Sequence, residues 1–546
     1  MAVQMIESLR RRRPMVLVAT ALAGTALAVS GCGGDAQTGA SAAAVASYVP
    51  SGSPLYLEAT TDFDGPQWTQ VDALAKLFPA YPELRTMVDD ALKSQNVDFE
   101  TEIKPLLGAR AAIAGLTLPT TADLSRSLTS ATPDSAVKAA GDLQFVGVVE
   151  LADGKDDAVT ALLVKGGATK AGAHAGVDYY TDSPDTVAAV TDGTLVVSDT
   201  KEQLFQALDA HAAGGDKTLG GTAKFTDAIG KLPADVFGQA YIDVGAIVQS
   251  AGEAQPQLGQ LGLADYQNAV VAASVAAEPD GARVKGVIVG APDAGIAEFS
   301  PTLTHNVPSD AIAYLGLDDL AGTITTILQQ AKAAQSSDVG AQFDALAGQL
   351  PQLLGVSLDD VSALASGEHA LVVTSGNPTP GAALALKVAD GARATTTLDA
   401  LRVGIPGLLG TFSPNTTLPA WKRAPLAAGV SGWELPLSPQ AGVVYGVDGD
   451  LAIIGTSVAA VSAVQRPVSP LSDSADFTAT TAGMPDAVTS VLWINVAEAL
   501  TAAQKLGVLK DVPADALANL RPLKSVTAWT TGGETPTFEV FVKVAG

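Results

Sequence analysis

The sequence predicts an α+β fold in two homologous halves, each a largely antiparallel sheet covered by helices. Three observations lead there. An ordered series of landmarks occurs twice along the 546 residues, and internal repetition of this kind marks a duplicated architecture. Asp-Gly pairs sit between alternating apolar runs, in VAAVTDGTLVVS and VVYGVDGDLAII. Such pairs signal tight hairpins, because a type I′ turn needs positive φ. Strands joined by short turns run antiparallel, and the helical patterns between them supply a covering layer.

Residues 1–31 read as a lipoprotein signal peptide. Arg10, Arg11, Arg12 and Arg13 form its cationic start, and Met15 to Val29 carries no charge. Cys32, the chain's one cysteine, follows the small residues Ser30 and Gly31. A thiol at the cleavage point accepts a lipid. The expectation is export, cleavage before Cys32, and lipid anchoring to the cell membrane on the extracytoplasmic face. The apolar stretch is shorter than the ~20 residues a membrane span needs. The paired arginines leave the twin-arginine route open beside the general one. Residues 32–46, small and polar without period, read as a flexible tether. Residues 47–297 and 298–546 read as the two repeat domains.

The landmarks run as follows. Val49-Pro50-Ser51 leads to Leu55-Tyr56-Leu57, and Val307-Pro308-Ser309 leads to Ala313-Tyr314-Leu315. FETEIKPLLG and LDDVSALASG each precede an apolar, strand-like run. Leu151-Ala152-Asp153-Gly154 and Val388-Ala389-Asp390-Gly391 each end one apolar run and open a helical stretch. The Asp-Gly hairpins Asp192-Gly193 and Asp448-Gly449 come next, then Phe225-Thr226 before Leu232-Pro233 and Phe477-Thr478 before Met484-Pro485. Each half closes on a strand pair, Ala269–Ala277 with Val284–Val289 and Leu523–Thr530 with Phe538–Val544.

A smaller unit recurs inside each half. Pro50, Pro233, Pro308 and Pro485 each start a β-rich run, and a proline at a strand's first position removes no ladder bond. Thr60, Asp243, Asp318 and Asn495 follow at equal spacing, ahead of helical patterns. All four suit helix N-caps, whose side chains accept a bond from an orphan backbone N–H. Capping accommodates Thr, Asp and Asn alike, whereas a cation site would not tolerate Thr so easily. They are therefore read as structural caps rather than ligands.

The opening strand from Pro50 to Tyr56 and the segment Asp98 to Gly108, with Pro105 and Leu107, resemble the family called domain of unknown function 3352. The likeness spans essentially the chain after the tether. In the second half Leu364 and Ser366 stand where Pro105 and Leu107 would be. The resemblance implies an exported or membrane-attached protein and carries no activity and no functional residues.

Composition excludes several classes of function. The formal net charge is -25, and so acidic a chain repels phosphate backbones, so no nucleic-acid partner is expected. Apolar residues make up 47% and aromatics only 5%, which gives an aliphatic core. His174, His211, His305 and His369 are scattered, without a zinc-ligand spacing. Asp62-Phe63-Asp64-Gly65 lacks the distal ligands of a calcium loop. GGDKTLGG lacks the Gly-Lys-Ser/Thr order of a phosphate loop, and no Gly-x-Ser-x-Gly elbow occurs. No catalytic residue, metal ligand or cofactor is expected. The leading expectation is a non-catalytic envelope lipoprotein that binds an envelope protein or wall component. The alternatives are a carrier of a small hydrophobic ligand or lipid in an apolar cavity, and an uncharacterised envelope enzyme.

Overall fold

The computed structural model describes residues 44–93, 97–117, 144–183, 186–254, 263–293, 295–322, 351, 354–376, 379–412, 419–426, 430, 432–438 and 441–544. The chain divides into two compact units: residues 1–259 with 263–292 and 545–546, and residues 260–262 with 293–544. The division at Pro292 and Asp293 falls a few residues ahead of the expected 297/298.

In the first unit the strands are β1 (Leu55–Thr60), β2 (Leu107–Gly115), β3 (Phe145–Leu151), β4 (Thr169–His174), β5 (Val177–Ser183), β6 (Thr186–Thr191), β7 (Thr194–Ser198), β8 (Gly238–Asp243), β9 (Val270–Glu278) and β10 (Gly281–Val289). They pair in the order β10-β9-β8-β1-β2-β3-β7-β6-β5-β4, every pair antiparallel. In the second unit the strands are β11 (Ala313–Asp318), β12 (Glu368–Thr374), β13 (Gly381–Lys387), β14 (Lys422–Ala424), β15 (Gly432–Pro436), β16 (Gly442–Asp448), β17 (Leu451–Gly455), β18 (Ser490–Asn495), β19 (Leu523–Thr530) and β20 (Thr537–Val544). Their order is β20-β19-β18-β11-β12-β13-β17-β16-β15-β14, again wholly antiparallel. Strand for strand the two orders are the same. The chain is a mixed α+β protein built on antiparallel sheet.

Local chemistry sets the helices. Thr200 accepts from the backbone N–H of Gln203, whose side chain bonds back, so a capping box opens the helix Lys201–Ala213. Gly214, at φ 63°, ends it. Asp156 and Asp157 occupy the first turn of the helix Asp156–Lys165, at its positive pole. Ser457 and Ser474 cap the helices Val458–Gln465 and Ala475–Thr480.

Alternation along each strand then sorts the side chains. In the first unit Tyr56, Ala114, Val148, Ala189 and Val196 face Leu204, Ala207, Phe225 and Ala228. Phe225 lies edge-on to both Tyr56 and Tyr241, at 5.2 Å between centroids in each case. In the second unit Tyr314, Val372, Ala385 and Trp493 face Ala460, Val461, Val464 and Phe477. The other face of that sheet packs Leu386, Tyr445 and Ala452 on Ala394 and Leu398 of the helix Gly391–Phe412.

Two expectations are corrected here, and two hairpins are added. The tether does not extend to residue 46: Val45 and Ala46 are buried in the first core, because apolar side chains next to the first strand gain more from burial than from water. The hairpins differ in phase. Thr191 pairs with Thr194, so Asp192 and Gly193, at φ 49° and 70°, form the turn as expected. Asp448 instead pairs with Leu451, which places Gly449 and Asp450 in the turn with only Gly449 at positive φ (62°). That is the type II′ pattern. The hairpins β4–β5 and β14–β15 were not expected at all.

Candidate functional site

The four cap positions divide into two that cap and two that do not. Asp243 Oδ1 accepts from the N–H of Ala246 at 2.9 Å, at the start of the helix Val244–Ala254. Asn495 Oδ1 accepts from the N–H of Glu498 at 3.0 Å, at the start of the helix Val496–Leu506. Asp243 also holds Lys224 Nζ, at 2.9 Å from each carboxylate oxygen. Replacing Asp243 or Asn495 by Ala is expected to lower stability by about 0.5–2 kcal/mol each, read as a shift in the urea midpoint at unchanged slope.

Thr60 caps no helix. The next helix, Pro66–Ala75, starts later, with Gly65 at its N-cap and Pro66 setting the first turn. The Thr60 hydroxyl accepts instead from Asp62 N–H at 3.2 Å, within the intervening turn. Asp318 is displaced by its neighbour: Asp319, at φ 41°, accepts from Gly322 N–H at 2.9 Å. Cys32 lies outside the described residues.

The acidic segment Asp62-Phe63-Asp64-Gly65 is a turn. Phe63 stacks on Trp68 at 4.5 Å and meets Phe99 edge-on at 5.0 Å, while Asp64 pairs with Lys104 at 2.7 Å. Three of the histidines have local partners. His174 Nε2 meets Asp209 Oδ1 at 2.7 Å, and His211 lies flat on Tyr48 at 3.7 Å. His305 Nδ1 meets Ser472 Oγ at 2.8 Å. His369 is buried between strands, and desolvation pushes its imidazole below the ordinary histidine value against the pull of the Leu364 carbonyl, Asp318 and Asp319. Among the described residues no group of three or more His, Cys, Asp or Glu is placed to hold a metal ion.

One buried ionisable cluster is not revealed by local sequence patterns. Tyr56 and Glu58 lie two apart on β1 and share a face. Arg110 of the adjacent β2 reaches the same face through the pairing of Thr60 with Arg110. Tyr56 Oη donates to Glu58 Oε2 at 2.6 Å, and Arg110 Nη1 donates to Glu58 Oε1 at 2.9 Å. All three side chains are buried. Desolvation raises the Glu58 carboxyl, and the Arg110 charge and the Tyr56 bond only partly offset it. The second unit solves the same place differently. Tyr314 is followed by Gly316, and a buried Glu368 takes the register position of Arg110. Glu368 Oε1 accepts from Leu303 N–H at 2.6 Å, and Thr302 donates to its other oxygen. These buried groups tie neighbouring strands and the Thr302–Leu303 turn together.

What the described surface does offer is apolar sheet. On the face opposite the Tyr56 core, Leu57 of β1 is 43% exposed and lies directly across from Ile113 of β2. Ile242 of β8 and Val271 of β9 continue the same face as register partners. In the second unit Leu371 of β12 is 46% exposed and faces Leu315 of β11. The two exposed leucines thus sit on the same strand pair of the two sheets. Single exposed apolar residues are ordinary, whereas register-matched ones form a surface.

A family model described as "Protein of unknown function (DUF3352)" matches residues 14–544. No curated protein matches the chain. Among solved structures, three crystal forms of TP0453 are similar. Form III is 9% identical, covering 47% of this chain and 81% of that one. Form IV is 10% identical, covering 44% and 79%, and form I is 12% identical, covering 46% and 80%. The TM-score is 0.24 for each.

Proposed function

We propose that this chain, which belongs to the DUF3352 family of proteins of unknown function, is an exported lipoprotein with a non-catalytic binding or structural role. It is cut before Cys32 and held by acyl chains at the extracytoplasmic face of the cell membrane. The observation that carries this reading is Cys32 itself. The chain's one cysteine follows four arginines and an uncharged apolar stretch. Lipid supplies ~0.8 kcal/mol per buried CH₂, and two chains make a stable anchor. Among the described residues no helix is long and apolar enough to cross a membrane. The partner on this reading is an envelope protein or wall component.

The finer architecture belongs to the same proposal: two homologous halves that arose by duplication. The identical strand order, the paired caps Asp243 and Asn495, and the paired tyrosines Tyr56 and Tyr314 support it. A second reading, a carrier of a small hydrophobic ligand or lipid, draws on the exposed apolar face around Leu57 and Leu371.

Cys32→Ala is expected to abolish incorporation of radiolabelled fatty acid and to move the protein from the detergent phase to the aqueous phase on phase separation. A variant that still partitions like wild type would overturn the lipid anchor. Native mass spectrometry of protein extracted from its own envelope distinguishes the two roles: a co-purifying lipid favours the carrier, a co-purifying protein or wall fragment the binding module.

A further inference from the structure

The second unit carries a group of cations that its fold does not need. Trp433 of β15 pairs in register with Arg423 of β14, the last described strand at that end of the sheet. The Arg423 guanidinium lies over the Trp433 ring at 4.1 Å from its centroid. Arg402, from the helix Gly391–Phe412, places its guanidinium over the same ring, also at 4.1 Å. The two charges are therefore no more than about 8 Å apart. Like charges this close repel, and Asp399 beside Arg402 offsets only one of them.

Arg402 is held in place from behind. Tyr445 Oη donates to Asp399 Oδ1 at 2.5 Å, and Arg402 Nε donates to Tyr445 Oη at 3.1 Å. Asp399 lies 3.4 Å from the same Nε. These contacts occupy Nε and leave the two terminal nitrogens of Arg402 without a hydrogen bond among the described residues. Arg423 is exposed, and its only described contact is the ring face. Its neighbour Lys422 is neutralised by Glu434 at 3.3 Å. In a chain with 57 acidic and 32 basic residues, an arginine with no carboxylate partner among the described residues is out of keeping with its surroundings.

The first unit shows that the topology does not require this arrangement. There the corresponding hairpin, β4–β5, carries one lysine, Lys170, and Asp178 pairs with it.

We propose that Arg402 and Arg423, spaced by Trp433, form a binding site for a phosphate-bearing ligand. A guanidinium fork donates two parallel N–H bonds to an oxyanion. A carboxylate's two oxygens serve two forks only with all their lone pairs in one plane, whereas a phosphate presents three or more oxygens around a tetrahedron and suits two forks set apart. Stacking on the indole fixes both forks before the ligand arrives, which lowers the entropy cost of binding. The phosphate source is a lipid headgroup or a soluble ester, and the chemistry is common to both.

The test uses the full chain in neutral detergent at low ionic strength. Inorganic pyrophosphate and inorganic phosphate are titrated by calorimetry and by tryptophan fluorescence, with acetate as the carboxylate comparison. Vesicles of phosphatidylglycerol are compared with vesicles of phosphatidylcholine. Saturable binding is expected, weakened at least tenfold in Arg423→Gln and unchanged in Arg466→Gln, an exposed arginine elsewhere in the same unit. The affinity should fall as salt rises. Saturation with pyrophosphate or phosphate identifies a soluble ester as sufficient. Saturation confined to phosphatidylglycerol identifies the headgroup. Circular dichroism of Arg423→Gln is expected to match wild type, since the side chain is exposed. No saturable binding by any phosphate probe, equal binding by acetate, or wild-type affinity in Arg423→Gln would overturn the proposal.

Discussion

Glu58→Ala lowers the stability of the first unit by about 3–5 kcal/mol, the cost of leaving a buried charge without its partner. Arg110 stays in the core, because the register of β1 and β2 holds it there, and its Nη1 loses the carboxylate it meets at 2.9 Å. Tyr56 loses its acceptor in the same step. The effect separates into two parts that a second variant tells apart. Glu58→Leu combined with Arg110→Met removes both charges and keeps the volume, and the pair is expected to recover most of the loss, since apolar replacement of a buried ion pair is often neutral. Hydrogen exchange read by mass spectrometry locates the change, because it reports on β1 and β2 separately from the second unit. A Glu58→Ala protein within about 1 kcal/mol of wild type would show that water enters to solvate Arg110.

How far such groups could be read from the sequence depends on the range of the contact that makes them. The Asp192-Gly193 turn and the caps Asp243 and Asn495 are visible because their chemistry is complete within a few residues. Where a local rule had two candidates it went astray: Asp318 and Asp319 are adjacent acids, and only the backbone at Asp319, with positive φ, aims a carboxylate at Gly322. Thr60 failed because a turn intervenes before Pro66, which no spacing rule anticipates. The hairpin β4–β5 was missed for a different reason. The strand β4 is half-exposed or exposed throughout, so it carries no apolar alternation to detect. The Glu58–Arg110 pair and the Arg402–Trp433–Arg423 stack join residues that are remote in sequence. Strand register and helix placement bring them together, and neither is a property of a short window.

Tyr56→Phe destabilises and Tyr314→Phe does not, although the two tyrosines hold the same place in the two units. Each is fully buried in its sheet's core. Each sits on an interior strand of its sheet, paired on one side with β2 or β12 and on the other with β8 or β18. They differ in what the hydroxyl meets. Tyr56 Oη donates to the Glu58 carboxylate at 2.6 Å, and a hydrogen bond to a charged group is worth about 1.5–3 kcal/mol. Tyr314 finds Gly316 where Tyr56 finds Glu58. A Cβ at Gly316 would lie 2.2 Å from the Tyr314 hydroxyl, so the glycine makes the room that the hydroxyl occupies. That hydroxyl has no hydrogen-bond partner among the described residues. A buried polar atom left unsatisfied carries a penalty of about 1–3 kcal/mol, which its deletion relieves, less the cost of the small cavity left behind. Tyr56→Phe should therefore lose about 1.5–3 kcal/mol. Tyr314→Phe should be neutral or gain up to about 1 kcal/mol once the cavity is counted. Urea titration of the full chain followed by hydrogen exchange of β1 and β11 measures both. A loss of similar size at the two sites would mean that Tyr314 also holds a partner, a buried water being the simplest, and that the two cores are satisfied in the same way after all.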